Sequence, residues 1–312
     1  MAGRAAKFGG AMASPEKSMA ARGAMAAAAG YLAWGLFPIY WKQLAAIDAT
    51  ELIAHRHVWS LAFVLLVMKV GEGSAELRVA LRSRVALGVH AASGALLTAN
   101  WLVFVWGVNR GHVIEASLGY FLVPLVNVAL GRFVLHEPLR RTQWVAIGGA
   151  AAGVTLLLVR VGQVPWIALA LATTFGAYGL LRKKSPLGSL AGLGLETLLL
   201  APLAVAYLIF RDATGAGALG QVDARTHALL FSTGAITAVP LVLFAYGARR
   251  VRFTTLGLLQ YIAPTAQFAI GVWLYREPFS RERAAAFALI WCGLALYTAD
   301  NVWNQRRVTP AS

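Results

Sequence analysis

At 312 residues, with 59% hydrophobic and only 13% charged, the chain is far more apolar than a soluble domain, and the excess calls for lipid rather than a larger core. A net charge of +15 would suit nucleic acid, but the basic residues punctuate apolar runs instead of forming a face or a stripe, which argues against that partner. The single cysteine, Cys292, excludes an intrachain disulfide and a cysteine metal cluster; inside an apolar run it reads as a small packing residue.

Residues 1–23 mix Gly, Ala and Ser with Arg4, Lys7, Lys17 and Arg22, show no apolar period, and read as a disordered cytoplasmic tail. The run that follows continues through Trp34, Phe37 and Trp41 without a convincing cleavage site, so it reads as a retained span rather than a signal peptide. A helix crosses lipid in about 20 apolar residues, because each backbone N–H and C=O must be satisfied within the segment. Ten stretches reach that length: near 25–45, 52–70, 85–107, 113–135 and 142–160 in the first half, and near 163–182, 188–210, 227–248, 253–275 and 284–303 in the second. Trp41, Trp106, Trp144, Trp166, Tyr275 and Trp303 fall at boundaries, where amphipathic rings suit the headgroup level. With the N-terminus inside, about 19 Lys and Arg fall on the inner side against about 8 outside, and Arg56 is left within a span. Both termini, including the tail 304–312, are therefore predicted to be cytoplasmic.

Sliding the chain against itself by 140 residues lays Ser117-Leu-Gly-Tyr-Phe-Leu-Val-Pro124 over Gly257-Leu-Leu-Gln-Tyr-Ile-Ala-Pro264. The same shift pairs Gly107 with Gly247, Arg110 with Arg250, Gly131 with Gly271, Glu137-Pro138 with Glu277-Pro278, and Arg141 with Arg281. One register held that long predicts two copies of a five-helix unit, residues 24–160 and 161–303. Five is odd, so the copies would enter the membrane in opposite orientations, as an inverted repeat. Such a pair has two near-equivalent packings, one open to each side, which is what alternating access needs. The predicted fold class is thus an all-α integral membrane protein of ten transmembrane helices in two inverted five-helix repeats.

An ionisable group inside a span costs about 2.5 to 3.5 kcal/mol on insertion scales, so the few present should face a cavity or a partner. The clearest cluster is His55-Arg56-His57 in the second span, and the repeat shift places Arg56 over Glu196 in the seventh. An Arg–carboxylate pair would keep both charges in lipid, either as a fixed internal pair or as a gate or substrate contact formed on one side of the cycle. His55, His57, His90 and Glu115 are candidate proton carriers; the plainer reading gives His57 or His90 a neighbouring carbonyl and Glu115 a place in the first turn of its helix. Asn100, Asn109, Asn127, Gln260 and Gln267, with Trp101, Tyr120 and Tyr261 beside them, suit a mostly apolar pocket for a small amphipathic molecule. Ordinary interhelical hydrogen bonding, under about 1 kcal/mol each, is the alternative. Pro38, Pro124, Pro240 and Pro264 interrupt the backbone ladder and are candidate hinges. Gly149-Ala-Ala-Ala-Gly153 predicts a close helix contact, within the chain near Gly293 or at a homodimer face. The Glu-Pro steps at 137 and 277 end the fourth and ninth spans and read as structural.

No GxxxxGK[ST] phosphate loop, HExxH zinc helix or GxSxG elbow occurs, so nucleotide-driven pumping and metallopeptidase chemistry are not expected, and neither a cofactor nor a metal is predicted. A set of short motifs carries a family resemblance: Trp34-Gly35, Pro38-Ile-Tyr-Trp-Lys42, Ala54-His-Arg56, Asn100-Trp101, Trp106-Gly-Val-Asn109, Glu115-Ala-Ser-Leu-Gly-Tyr-Phe121 with Pro124, Pro240-Leu241, and Gly257-Leu-Leu-Gln-Tyr261 with Pro264. Over roughly residues 25–303 the chain resembles the EamA type of the drug/metabolite transporter superfamily and, within it, the RarD-like group. That pattern tends to have Asn before the fourth-span proline, where this chain has Val123. The resemblance implies a ten-helix inverted-repeat bundle in a bacterial cytoplasmic membrane, and a link to chloramphenicol sensitivity. The expected activity is a secondary permease that moves a small organic metabolite or drug across the lipid bilayer, with export favoured and protons as the candidate coupling ion. The alternatives are a non-transporting sensor on the same scaffold, or a channel, which the scattered polar residues argue against.

Overall fold

The computed structural model describes residues 15–70, 73–134, 136, 138–185, 187–248, 250–251 and 259–308, and every regular element among them is helical. In chain order these are α1 (Pro15–Gly35), α2 (Phe37–Lys42), α3 (Ala49–Val70), α4 (Ser74–Ala80), α5 (Arg84–Asn109), α6 (Val113–Val134) and α7 (Arg141–Leu156). A π-helical turn, Leu157–Val161, extends α7. Then come α8 (Trp166–Lys184), α9 (Ser189–Ala213), α10 (Ala224–Ala248), α11 (Ile262–Ala269) with its π-helical extension Ile270–Leu274, and α12 (Arg281–Val308). Among the described residues six helices are long and apolar enough to cross a membrane: Ala49–Lys69, Arg84–Asn109, Val113–Val134, Arg141–Arg160, Leu190–Ala213 and Ala224–Phe244. Trp166–Arg182 and Ile262–Leu274 are apolar but shorter.

Local chemistry explains where these helices start. Asp48 Oδ1 accepts from the Thr50 amide at 2.9 Å ahead of α3, and Ser83 Oγ accepts from the Ala86 amide at 3.2 Å ahead of α5. Asp223 Oδ1 accepts from the Thr226 amide at 2.9 Å ahead of α10, and the Thr226 side chain and amide hold that carboxylate below its usual range. The break between α1 and α2 follows from Pro38, which has no N–H to give to the Trp34 carbonyl. Gln267 Nε2 supplies the missing donor to that carbonyl at 3.2 Å.

Several expectations are corrected. α1 begins at Pro15, so part of the stretch read as a disordered tail is helical; its Ala-rich sequence has high helix propensity. α12 likewise runs to Val308, beyond the expected end of the last span. Among the described residues, neither end helix is one of the six that are long and apolar enough to cross a membrane. The first predicted span is split at Leu36, and α12 carries Arg281, Glu282 and Arg283 in its first turn and Asp300 toward its end. Trp41 is fully buried against its neighbours, while Cys292, expected to pack, is exposed. α12 packs through Ala286, Phe287, Ile290 and Leu294, which leaves Cys292 on its other face. Glu137, Gly257 and Leu258 lie outside the described residues.

The principal helix packings join the first half of the chain to the second: α1 with α10 and α11, α3 with α9 and α10, α5 with α8 and α9, α6 with α8 and α11, and α7 with α12. Helix starts recur at the 140-residue offset: Ala49 and Ser189, Arg84 and Ala224, Arg141 and Arg281. The two non-glycine residues with positive φ, His136 at 57° and Arg276 at 50°, also stand 140 apart. In α7 and α12 the contact is reciprocal. A Cβ on Gly153 would lie 2.8 Å from the Ala286 carbonyl, and one on Gly293 would lie 2.8 Å from the Ala146 carbonyl.

Contacts near the helix ends fall into two sets. In one, Glu51 accepts from the Ala218 amide at 2.6 Å and pairs with Arg211 at 3.1 Å, and Arg225 donates to Gln43 at 2.8 Å. The same set has Glu277 accepting from the Val113 and Ile114 amides at 2.7 and 2.8 Å, and Glu115 accepting from the Ile167 amide at 3.0 Å. In the other, Glu76 accepts from the Gly188 amide at 2.6 Å, Arg140 and Thr142 hold Asp300, and Gly23 lies against Arg250. In both sets a carboxylate serves the exposed N–H groups of a neighbouring helix start, where the helix dipole favours it.

Candidate functional site

Glu196 of α9 is 1% exposed and lies where α3, α5, α8 and α9 meet. Ser93 Oγ donates to its Oε1 at 2.6 Å, and His90 Nδ1 lies 3.3 Å from the same oxygen. His90 and Ser93 are neighbours on one face of α5, three residues apart. On α8, Arg182 Nη1 comes within 3.6 Å of Oε1, and the Tyr178 hydroxyl donates to Oε2 at 3.5 Å. Tyr178 and Arg182 are spaced by four, so one helix face delivers both. His90 Nε2 meets Ser185 Oγ at 2.8 Å, so its ring bridges the carboxylate and the end of α8. The carboxylate is thus ringed by donors, as a buried charge must be.

Arg56 of α3 is also 1% exposed, but it does not form the expected direct pair with Glu196. Its guanidinium carbon stands 4.9 Å from the centre of the Trp101 ring, a cation–π geometry. Nη2 approaches His57 Nε2 at 3.5 Å, and Nε has no partner. Glu196 acts on Arg56 only from beyond contact. Trp101 opens a chain of rings: Phe37 at 5.4 Å, Phe104 at 5.9 Å, then Tyr120 at 5.7 Å from Phe104, Phe175 at 6.0 Å from Tyr120, and Tyr178 at 5.9 Å from Phe175. The aromatic track therefore joins Arg56 to the Glu196 cluster.

The remaining sequence candidates divide. Asn100 donates to the Leu171 carbonyl and to Thr174 Oγ1, both at 2.9 Å, and accepts from the Tyr120 hydroxyl at 3.2 Å, so it ties α5 to α8 and α6. His55 is buried near Glu51 with Nε2 unpartnered, away from the Glu196 cluster. Asn109 ends α5, with its Oδ1 buried and unpartnered. Glu115 stands in the first turn of α6 and also accepts from the Ile167 amide at the start of α8. Gln260 and Tyr261 precede α11, where Tyr261 stacks on Phe121 at 6.4 Å and accepts from Thr298 at 3.5 Å. Asn127 is exposed, so the five amide side chains do not line one pocket. Pro38 stands at the α1–α2 break and Pro264 near the start of α11, whereas α6 and α10 run on through Pro124 and Pro240.

Sequence reasoning missed Arg182, Ser93, Tyr178 and Ser185. Arg182 sits in the basic run Arg182-Lys183-Lys184, which reads as a loop charge until its long arm is seen to reach back along α8. The four-residue spacing of Tyr178 and Arg182 was the available signal.

The sequence profile of the EamA-like transporter family matches residues 21–159. An uncharacterized transporter of Bacillus subtilis, YojE, is 42% identical over 291 residues, covering 91% of this chain and 96% of that protein. Protein RarD of Streptomyces exfoliatus is 43% identical over 277 residues, covering 89% and 88%. A solved crystal structure aligns over 91% of this chain and 97% of its own with a TM-score of 0.57 and 22% identity, a likeness of fold alone.

Proposed function

The chain belongs to the EamA-like transporter family, in the group of the RarD proteins, and from that premise we propose that it is a secondary permease for a small organic metabolite or drug. In this reading ten spans, 25–45 through 284–303, form two inverted five-helix repeats in a bacterial cytoplasmic membrane, with both termini inside. The principal packings support it, because exchanging the halves maps the set onto itself: α1–α10 becomes α5–α8, α1–α11 becomes α6–α8, α3–α10 becomes α5–α9, and the other three pair repeat-related helices. The two sets of helix-end contacts also support it. With strictly alternating crossings, the first set lies wholly on the outer side and the second wholly on the inner side.

The observation that carries the proposal is the buried charged centre between repeat-related α3 and α9, where Arg56 and Glu196 hold equivalent positions. Charges at such depth cost too much to keep without a partner or a task, and midplane sites between repeats are where transporters hold substrate. His90, held between Glu196 and Ser185, gives a proton a place to reside during the cycle. The test is flux of a labelled amphipathic panel, including chloramphenicol, into proteoliposomes with and without a pH gradient. Saturable, gradient-dependent flux, lost in Arg56→Gln and Glu196→Gln, is the expected result; unaltered flux in both variants would remove the pair from the cycle. Absence of any flux by well-folded protein would favour the sensor.

A further inference from the structure

We propose that Arg56 anchors the carboxylate of a small organic monoanion whose apolar body lies among the rings around Trp101. This rests on the permease reading and adds to it a substrate class.

The first observation is an unused donor edge. Arg56 is 1% exposed; among the described residues its Nε has no partner, and its one polar contact is the 3.5 Å approach of Nη2 to His57 Nε2. That contact is weaker than it looks. The Thr98 hydroxyl spends its proton on the Gly94 carbonyl at 2.7 Å, so at the 2.9 Å contact with Thr98 Oγ1 it is His57 Nε2 that carries the hydrogen. A nitrogen that already donates to Thr98 cannot accept from Arg56. The guanidinium therefore keeps its face on Trp101 and its fork unfilled, whereas a purely structural buried arginine has its donors satisfied.

The second observation is a charge count. Among the described residues the cluster holds two guanidiniums, Arg56 and Arg182, and one carboxylate, Glu196. Glu196 is already engaged by Ser93, His90, Tyr178 and Arg182 and acts on Arg56 only from beyond contact, so Arg56 is a buried cation without a carboxylate in contact. A monoanion balances that one cation; a phosphate dianion overshoots it. A carboxylate also fits the planar edge, taking two parallel N–H bonds from one guanidinium.

The third observation is the wall. Trp101, Phe37, Phe104 and Tyr120 follow one another at ring spacings of 5.4 to 5.9 Å, and the Tyr120 hydroxyl is already donating to Asn100. The groups packed beside the guanidinium are thus aromatic rings. An aromatic or branched body carrying one carboxylate meets both the fork and the rings.

The test uses the full chain in detergent and in proteoliposomes. Benzoate, phenylacetate and indole-3-acetate are compared with phenylacetamide, 2-phenylethylamine and inorganic phosphate, by thermal melting and by flux. The expected result is saturable stabilisation by at least one of the three acids and by none of the others. Affinity for that acid should fall about tenfold or more in Arg56→Gln and less in Arg56→Lys, which keeps the charge but not the fork. Stabilisation by the amide or the amine equal to that by phenylacetate overturns the proposal, as does unchanged acid binding in Arg56→Gln or no binding of any acid. If Arg56→Gln does not fold, the acid, amide and amine comparison on the unaltered chain decides alone. Acid binding with no flux of any solute leaves the anion site standing and overturns the permease reading. Saturable flux of a neutral compound that no acid inhibits does the reverse.

Discussion

The Glu196 carboxyl is held by contacts of unequal length, and the shortest comes from Ser93 Oγ at 2.6 Å. Ser93→Ala removes that donor from a carboxylate without access to water, so a loss of about 1 to 3 kcal/mol is expected. Glu196→Gln costs more, about 3 kcal/mol or above, because it removes the buried carboxylate that Arg182 reaches and that acts on Arg56. Thermal melting of the purified variants against the parent checks both values. Glu196→Gln melting with the parent would mean that the carboxylate does not hold this cluster together. The burial of Arg56 and Glu196 was legible from the cost of charge in lipid, as was their common position in the repeat. Their separation was not, because it depends on Arg182, whose position at the end of a span concealed how far its side chain reaches inward.

At the scale of helices, α7 and α12 separate two glycines that look alike in the Gly149-Ala-Ala-Ala-Gly153 motif. A Cβ on Gly149 would find its nearest neighbours at 3.6 and 3.7 Å, ordinary contact, so Gly149→Ala gains helix propensity of up to about 1 kcal/mol at little cost. A Cβ on Gly153 would lie 2.7 Å from Ile290 Cγ1 and 2.8 Å from the Ala286 carbonyl. Ile290 can turn aside, but a backbone carbonyl cannot, so Gly153→Ala is expected to destabilise by about 1 to 2 kcal/mol net. Melting temperatures that move in opposite directions for the two variants are the predicted signature; equal shifts would mean that α7 and α12 do not pack this closely. The spacing made a tight contact legible, and the repeat pointed to Gly293. It did not say whether the partner helix came from the same chain, since a small-residue stripe serves either purpose. The α1–α2 break was foreshadowed by Pro38, but the use of the freed Trp34 carbonyl by Gln267 depends on a helix more than two hundred residues away.

For the whole molecule, hydropathy located each of the ten predicted stretches on helical segments, while the described part of the ninth begins only at Leu259. What hydropathy does not carry is the weave. A repeat that is contiguous in sequence suggests two side-by-side halves, yet the principal packings all cross between them, since each unit covers its apolar faces with helices of the other. The orientation then has a direct test. Gln221 lies in the loop between α9 and α10, near the Glu51–Ala218 contact, and Arg78 lies on α4, near the Glu76–Gly188 contact; both are exposed. Exposed Cys292 is first replaced by Ser so that it does not react. In intact cells a membrane-impermeant maleimide should then label Gln221→Cys at once and Arg78→Cys only after permeabilisation. Reversed labelling would keep the two-sided arrangement and invert it, against the distribution of Lys and Arg. Equal labelling of both sites in sealed cells would put the two sets of helix-end contacts on one side, which an alternating ten-span path does not permit.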